Sequence, residues 1–304
     1  MKLVSYGNPG AERPGVLVDE ELVVPLSPLL NNLGLRGADM CAVVGLLDQI
    51  RPLIVATVAS ADGSAIPLAD TRLGPPIPRP EKILVIGGNY QSHVDEAKAI
   101  TKGIPPSKAI IVFKPPSNIA GPTDPIIRPL GTSKLDYEGE LCVVIGRGGR
   151  RIPREQAMDH VAGYMNGDDV GDREVMMGDG LEVGLYMQPT RGKGYDSFCP
   201  IGPWLATRDE IADPHELNLR LWVNDELRQD FSTGEMIVDI PRLIEDASSV
   251  MQLSPGDILL TGTGSGCGGL AKPPIYLQPG DVVRQEIDGL GVMENPIIDE
   301  LERE

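Results

Sequence analysis

Apolar residues gather along this chain in short runs separated by glycine, proline and acidic residues, a spacing of strands and turns rather than of long helices. The runs "KLVSY" and "PGVLVD" open the chain as strands, and a helical stretch follows near residues 38 to 50. From Lys82 onward strand-like runs recur as "KILVIGG", "AIIVFKP", "ELCVVIG", "LRLWVN", "DILLTGTG" and "DVVRQEI". Two of them follow Ser-Pro-Gly-Asp at 254–257 and Gln-Pro-Gly-Asp at 278–281, where proline fixes φ and glycine turns the chain. One stretch has helical periodicity: "DIPRLIEDASSVMQL". There Asp239 is the expected N-cap, Pro241 lies in the first turn, and Leu243, Ile244, Ala247, Val250 and Met251 share an apolar face. Many strands with few helices predict an α+β fold that is mainly β. Residues 59–80 are small, polar and proline-rich, ending "LGPPIPRPEK". That composition predicts a small N-terminal domain with its linker, residues 1–75, followed by a core over 76–304.

Composition narrows the function classes. A net charge of −17 argues against nucleic acid or an anionic membrane surface as a partner. The cysteines at 41, 142, 199 and 267 form no CxxC pair, so reduced, mostly buried thiols are expected. "MKLVSYGNPG" has no apolar core of a signal peptide, and Asp48, Gln49, Arg51 and Pro52 interrupt the most apolar later stretch. The expectation is a soluble cytoplasmic protein.

Against this background "LDYEGELCVVIG", residues 135 to 146, stands out. Side chains alternate along a strand, so Glu138 and Glu140 project from one side, about 7 Å apart. A glutamate pair on a strand is ordinarily a solvated face. Here an apolar run follows directly, and "NGDDVGDRE" adds Asp168, Asp169 and Asp172 downstream. Oxygen-only ligands suit a hard cation such as Mg²⁺, with Mn²⁺ or Ca²⁺ as alternatives, and the cation would remove the repulsion. In "GGNYQSHVDEA", His93 and Glu96 share a face if the segment is helical, as a base and its orienting carboxylate would. Surface HxxE pairs are commoner than such dyads. "RGKGYDSFCPIGP" sets Lys193 between glycines, where backbone can approach a ligand. "LLTGTGSGCGG" offers a glycine-rich loop whose amides could bind an anion, without the lysine of a nucleotide loop.

In order, these segments resemble the fumarylacetoacetate hydrolase family. Its pattern is GxNYxxHxxE, FxKPPS…GPxxPI, DYExELxVVIG, NDVxxRDxQ, GKxFDTFxPxGP, LLTGTPxGVG and GDxVxxEIxGIGxLxNP. Here the chain reads "GGNYQSHVDE", "FKPPSNIAGPTDPI", "DYEGELCVVIG", "DDVGDREVM", "GKGYDSFCPIGP", "LLTGTGSGCGG" and "GDVVRQEIDGLGVMENP". The likeness runs from about residue 82 to 297, roughly 70% of the 304 residues. It implies a mixed β-sandwich roll, a homodimer and a small-molecule dioxo acid substrate. It also implies a divalent metal on Glu138, Glu140 and Asp169, with His93 and Glu96 as the base dyad. Lys193 and Thr263 fall at positions that contact the oxo-acid end, and Arg173, Gln188 and Ser117 match further substrate-site positions. The reaction implied is metal-assisted carbon–carbon cleavage of a 2,4-dioxo acid of the acylpyruvate or fumarylpyruvate type. Oxaloacetate decarboxylation, isomerisation or a non-catalytic binding role are the alternatives. Three departures bear on substrate: Met176 replaces a glutamine, Pro189 a tryptophan, and Gly264 and Cys267 replace proline and valine in a loop expected to be looser for it.

Overall fold

In the computed structural model, residues 1–61, 63–178 and 187–301 are described, without the side chains of 100 and 101. The strand-like runs become strands, and they assemble into mixed sheets with few helices between them. A 12-stranded sheet forms the spine. Its centre is the strand Gly139–Ile145, antiparallel to Val161–Asp168 on one side and to Ile258–Leu260 on the other. Every residue of that strand is buried, which explains why its sequence is an unbroken apolar run rather than an alternating one.

The two faces of the spine feed two cores, and the period of two along each strand divides its residues between them. Leu141, Val143 and Ile145 face one core with Leu84, Ile86 and Leu259. Cys142 and Val144 face the other with Ile83, Val85, Ile258 and Leu260. The first core is closed by a five-stranded sheet, through Leu219, Leu221, Val283 and Ile287, and by the helix Ile240–Val250. That helix is capped as expected, with Asp239 accepting from the Arg242 amide, and buries Leu243, Ile244 and Ala247. Val250, read as part of its apolar face, is 64% exposed at the end of the helix.

The second core is closed by the N-terminal helices, through Leu30, Met40, Val43, Leu47, Ile50 and Ile54. The helical stretch expected at 38–50 is two helices, Met40–Gly45 and Leu47–Ala59. Strands Lys2–Tyr6, Arg13–Val18 and Leu22–Pro25 extend the spine, Lys2 and Leu3 pairing with Ala206 and Leu205. A boundary at residue 75 therefore divides one continuous sheet. Even the proline-rich stretch joins it, through the short strands Ile66–Pro67 and Leu73–Gly74. Among the described residues no helix is long and apolar enough to cross a membrane.

Candidate active site

The register of the central strand pair sets the carboxylates. Gly139 lies opposite Asp168, so the end of one strand brings Asp168 and Asp169 beside Glu138. The Asp169 amide donates to the Glu138 carbonyl at 2.9 Å, and the Glu138 amide donates to Asp168 Oδ1 at 2.8 Å. Glu138, Glu140 and Asp169 are buried, with ligand oxygens all within 4.8 Å of one another. The other aspartates of "GDDVGD" do different work. Asp168 is spent on the Glu138 amide, and burial pushes its pKa up to about 7. Asp172 caps the short helix Arg173–Met176.

Three cations hold this cluster. Lys193 Nζ donates to Glu138 Oε2 at 2.7 Å and also to Asp169. Lys114 Nζ, at the buried end of the strand Ile110–Lys114, donates to Asp169 Oδ1 at 2.6 Å and to the Val170 carbonyl at 2.9 Å. Arg173 bridges Glu138 Oε1 at 2.6 Å and Asp136 Oδ2 at 2.7 Å. Burial alone would raise the Glu138 pKa, yet Arg173 and Lys193 outweigh it and hold the group well below the usual carboxylate range. Glu140 goes the other way: burial, and then the Asp169 charge, push it well up. The donor set fits a hard divalent cation. It is oxygen-only, buried and short of positive charge at Glu140, and six-coordinate Mg²⁺ with bonds of about 2.1 Å needs neighbouring oxygens about 3 Å apart. Oxygens at the outer limit of their present spacing would draw together by up to about 1.8 Å around such an ion.

The glycine-rich loop does bind anions, and they are the protein's own side chains. The Gly262 amide donates to Glu140 Oε2 at 2.6 Å, and the Gly266 amide to both oxygens of Glu96 at 3.1 Å. The Gly268 and Gly269 amides donate to Asp136 at 2.9 Å. The loop is thus pinned, although its departures from the family pattern predict a looser one. His93 and Glu96 lie in the helix Gln91–Glu96, with His93 Nδ1 4.0 Å from Glu96 Oε2. Burial, then Arg173 and Lys193, lower the His93 pKa against the pull of Glu138 and Asp136, favouring the neutral imidazole.

These groups open on one cavity of about 170 Å³, lined by His93, Glu138, Glu140, Arg173, Met176, Lys193 and Thr263 among others. Glu96 stands behind His93, outside the lining. Thr263 Oγ1 donates to the Gly139 carbonyl at 2.8 Å and receives the Gln229 amide at 2.8 Å, so it is fixed where it faces the cavity. Of the family-pattern positions, Asp169 is buried behind the lining glutamates, and two substrate-site residues are also not brought to the cavity lining. Ser117 is exposed in the turn Pro116–Asn118, and Gln188 sits at the N-cap position of the helix Pro189–Gly192 without a side-chain cap bond, leaving Pro189 to face the cavity. The glycines beside Lys193 serve chain packing. A Cβ on Gly192 would meet Met176 Cγ at 2.3 Å, and one on Gly194 the Thr190 carbonyl at 2.7 Å. Lys114 ends an apolar run before Pro115 and Pro116 and falls at the lysine of the FxKPPS pattern, but the sequence alone assigns it no partner.

Residues 82–298 match the family model described as fumarylacetoacetate (FAA) hydrolase C-terminal. The mitochondrial oxaloacetate tautomerase fahd2 of Xenopus laevis is 44% identical over 224 residues, 73% of this chain and 67% of that protein. Among solved structures, a probable 2-hydroxyhepta-2,4-diene-1,7-dioate isomerase from Mycobacterium abscessus is 38% identical with a TM-score of 0.80, covering 99% of this chain and 100% of that one. The maleylpyruvate hydrolase of Sphingobium sp. SYK-6, in complex with manganese(II) and pyruvate, is 32% identical over the same shares, also with a TM-score of 0.80.

Proposed function

The chain belongs to the fumarylacetoacetate hydrolase family, and from that premise we propose that it is a divalent-metal-dependent hydrolase that cleaves a carbon–carbon bond in a 2,4-dioxo acid of the acylpyruvate type. The observation that carries this reading is the shared cavity: Glu138, Glu140 and His93 face the same space of about 170 Å³, and Asp169 stands against the two glutamates with its ligand oxygen within 4.8 Å of theirs. Held by Glu138, Glu140 and Asp169, a divalent ion (Mg²⁺, with Mn²⁺ or Ca²⁺ as alternatives) would supply Lewis-acid polarisation of a chelating 2-oxo acid. The related maleylpyruvate hydrolase carries manganese and pyruvate, a 2-oxo acid of the kind released here.

The residues then divide the work. His93, neutral and backed by Glu96, takes a proton from water as the oxygen adds to the distal carbonyl carbon. The bond to the pyruvate fragment breaks, its electron pair passing into the enolate, and Lys193 Nζ stabilises the charge that develops on oxygen. The imidazolium returns its proton to the enolate carbon. Arg173 and Thr263 orient the acid, while Ser117 and Gln188 act only if their segments shift toward the cavity. A homodimer belongs to the same proposal and is read by sedimentation.

A second reading rests on the Xenopus relative, whose substrate is named as oxaloacetate, and on the small cavity. There His93 would shuttle a proton between carbon and oxygen with no attack by water. One panel separates the two. Acylpyruvates, fumarylpyruvate and oxaloacetate are supplied with Mg²⁺ or Mn²⁺, and pyruvate and enol absorbance are followed together. Hydrolysis releases pyruvate and the matching carboxylic acid in equal amounts. Loss of the oxaloacetate enol signal with no pyruvate from any acylpyruvate would replace the first reading with the second.

A further inference from the structure

Cys267 stands where the family pattern has valine, and it places a thiol beside the dyad. Its Sγ lies 3.8 Å from His93 Nδ1, which is itself 4.0 Å from Glu96 Oε2. The nitrogen, oxygen and sulfur donors are all within 4.8 Å of one another. Tetrahedral zinc with bonds of about 2.0 to 2.3 Å places nitrogen and sulfur about 3.6 Å apart and nitrogen and oxygen about 3.3 Å apart. Closing the set takes a contraction of about 0.2 Å between nitrogen and sulfur and about 0.7 Å between nitrogen and oxygen. Glu96 is already aimed by the Gly266 amide, and both His93 and Glu96 retain some solvent access for an arriving ion.

We propose that His93, Glu96 and Cys267 form a second cation site, specific for borderline ions such as Zn²⁺ and Co²⁺, whose occupation silences the base. The two clusters sort ions by softness. The oxygen-only carboxylates take Mg²⁺, whereas a mixed nitrogen, oxygen and sulfur set disfavours Mg²⁺ and suits zinc. An ion on Nδ1 draws electron density from the imidazole and takes Glu96 away from it, so His93 can no longer accept a proton from water. The ion itself deprotonates the coordinating thiol. The binding claim stands without the proposed reaction; the inhibitory claim rests on His93 as the base.

The test uses the full chain with Mg²⁺ in excess, titrated with Co²⁺ and followed in the near ultraviolet. A thiolate-to-cobalt charge-transfer band should appear in the wild type, be displaced by Zn²⁺, and be absent from Cys267→Val. Cys267→Ser serves as a second variant, with melting curves to show that both are folded. Apparent Zn²⁺ affinity in Cys267→Val should fall by at least about 10- to 100-fold. No band in the wild type, or a band that survives in both folded variants, overturns the site. If the panel substrates turn over, Zn²⁺ should inhibit the wild type in parallel with the band and spare Cys267→Val relative to its own zinc-free rate. Inhibition of equal strength in both overturns the inhibitory role. Absence of turnover in every preparation would count against the proposed reaction and leave the cobalt result standing.

Discussion

Replacing Lys114 with methionine should make the protein less stable and yet tighten its grip on a divalent cation. Lys114 is buried and makes two bonds, to Asp169 Oδ1 and to the Val170 carbonyl. Methionine keeps the apolar length of the side chain and removes the charge. It leaves a buried carboxylate with Lys193 as its remaining ion-pair partner, and a carbonyl without this donor. Removing one partner of a buried pair costs about 3 to 5 kcal/mol. For a chain of this size each kcal/mol lowers the midpoint by about 2 °C, so a fall of about 6 to 10 °C is expected without metal. The cation affinity moves the other way. Unit charges about 4 Å apart repel by roughly 4 kcal/mol at an effective dielectric near 20, and a dication would feel Lys114 at comparable range. Even if relaxation absorbs most of that, about 1.4 kcal/mol remains, a tenfold tighter binding of Mg²⁺. Melting curves with EDTA and with graded Mg²⁺, beside calorimetric titration, measure both quantities. A variant that is as stable as wild type, or that binds Mg²⁺ more weakly, would refute this account of Asp169 as a shared partner of lysine and metal.

Three further outcomes are expected. Mg²⁺ at 100 times its dissociation constant should add about 2.7 kcal/mol to wild-type stability, seen as a raised melting midpoint; Glu140→Gln should lose that shift without lowering the metal-free midpoint, since burial and Asp169 already disfavour the charge on Glu140. His93→Ala should retain the metal-induced shift while losing a factor of roughly 10² to 10⁴ in hydrolysis; in wild type the acid limb of kcat/KM should lie below pH 6.5, because burial lowers the His93 pKa and the base stays neutral until the pH falls through that lowered value. Met176 lines the cavity, so Met176→Gln should move the kcat/KM ratio toward fumarylpyruvate over an alkyl acylpyruvate by about 1 to 3 kcal/mol if the new hydrogen bond forms. An unchanged ratio would make Met176 packing alone.

What could be read in the sequence was what local patterning encodes. The strand Gly139–Ile145, the capped helix at 240–250 and the two Pro-Gly-Asp turns follow from periodicity and turn chemistry within a few residues. The carboxylate cluster was half legible: alternation put Glu138 and Glu140 on one side, but three aspartates competed for the third position. The partner strand's register decided that competition, setting Gly139 opposite Asp168. The continuity of the N-terminal strands with the spine was hidden, because it depends on Lys2 and Leu3 meeting residues 205 and 206. A proline-rich stretch looks like a linker whether it spans domains or lies along a sheet. Lys114 was legible as the lysine of the FxKPPS pattern, but its role was not: nothing near it in the chain announces Asp169. The glycines beside Lys193 were legible as close approach, but the approaching groups are Met176 and Thr190 rather than a ligand.

The loop at 262–269 explains how the two groups of side chains proposed as metal site and dyad keep one geometry. Its amides hold Glu140 of the carboxylate cluster, Glu96 of the dyad, and Asp136, which in turn holds Arg173 against Glu138. Moving the loop would therefore move both groups together. Its own position depends on the absence of a side chain at Gly264, where a Cβ would meet the Phe231 ring at 2.3 Å. Phe231 packs edge-on against Tyr90 at 5.1 Å, and the Tyr90 hydroxyl lies 3.2 Å from Thr261 Oγ1, just ahead of the loop. A proline at 264, as in the family pattern, cannot be accommodated while Phe231 keeps this place. The departure at 264 and the aromatic at 231 thus belong to one packing solution. Gly264→Pro alone should disturb the metal cluster and the dyad together, and a smaller residue at 231 should be needed to restore them.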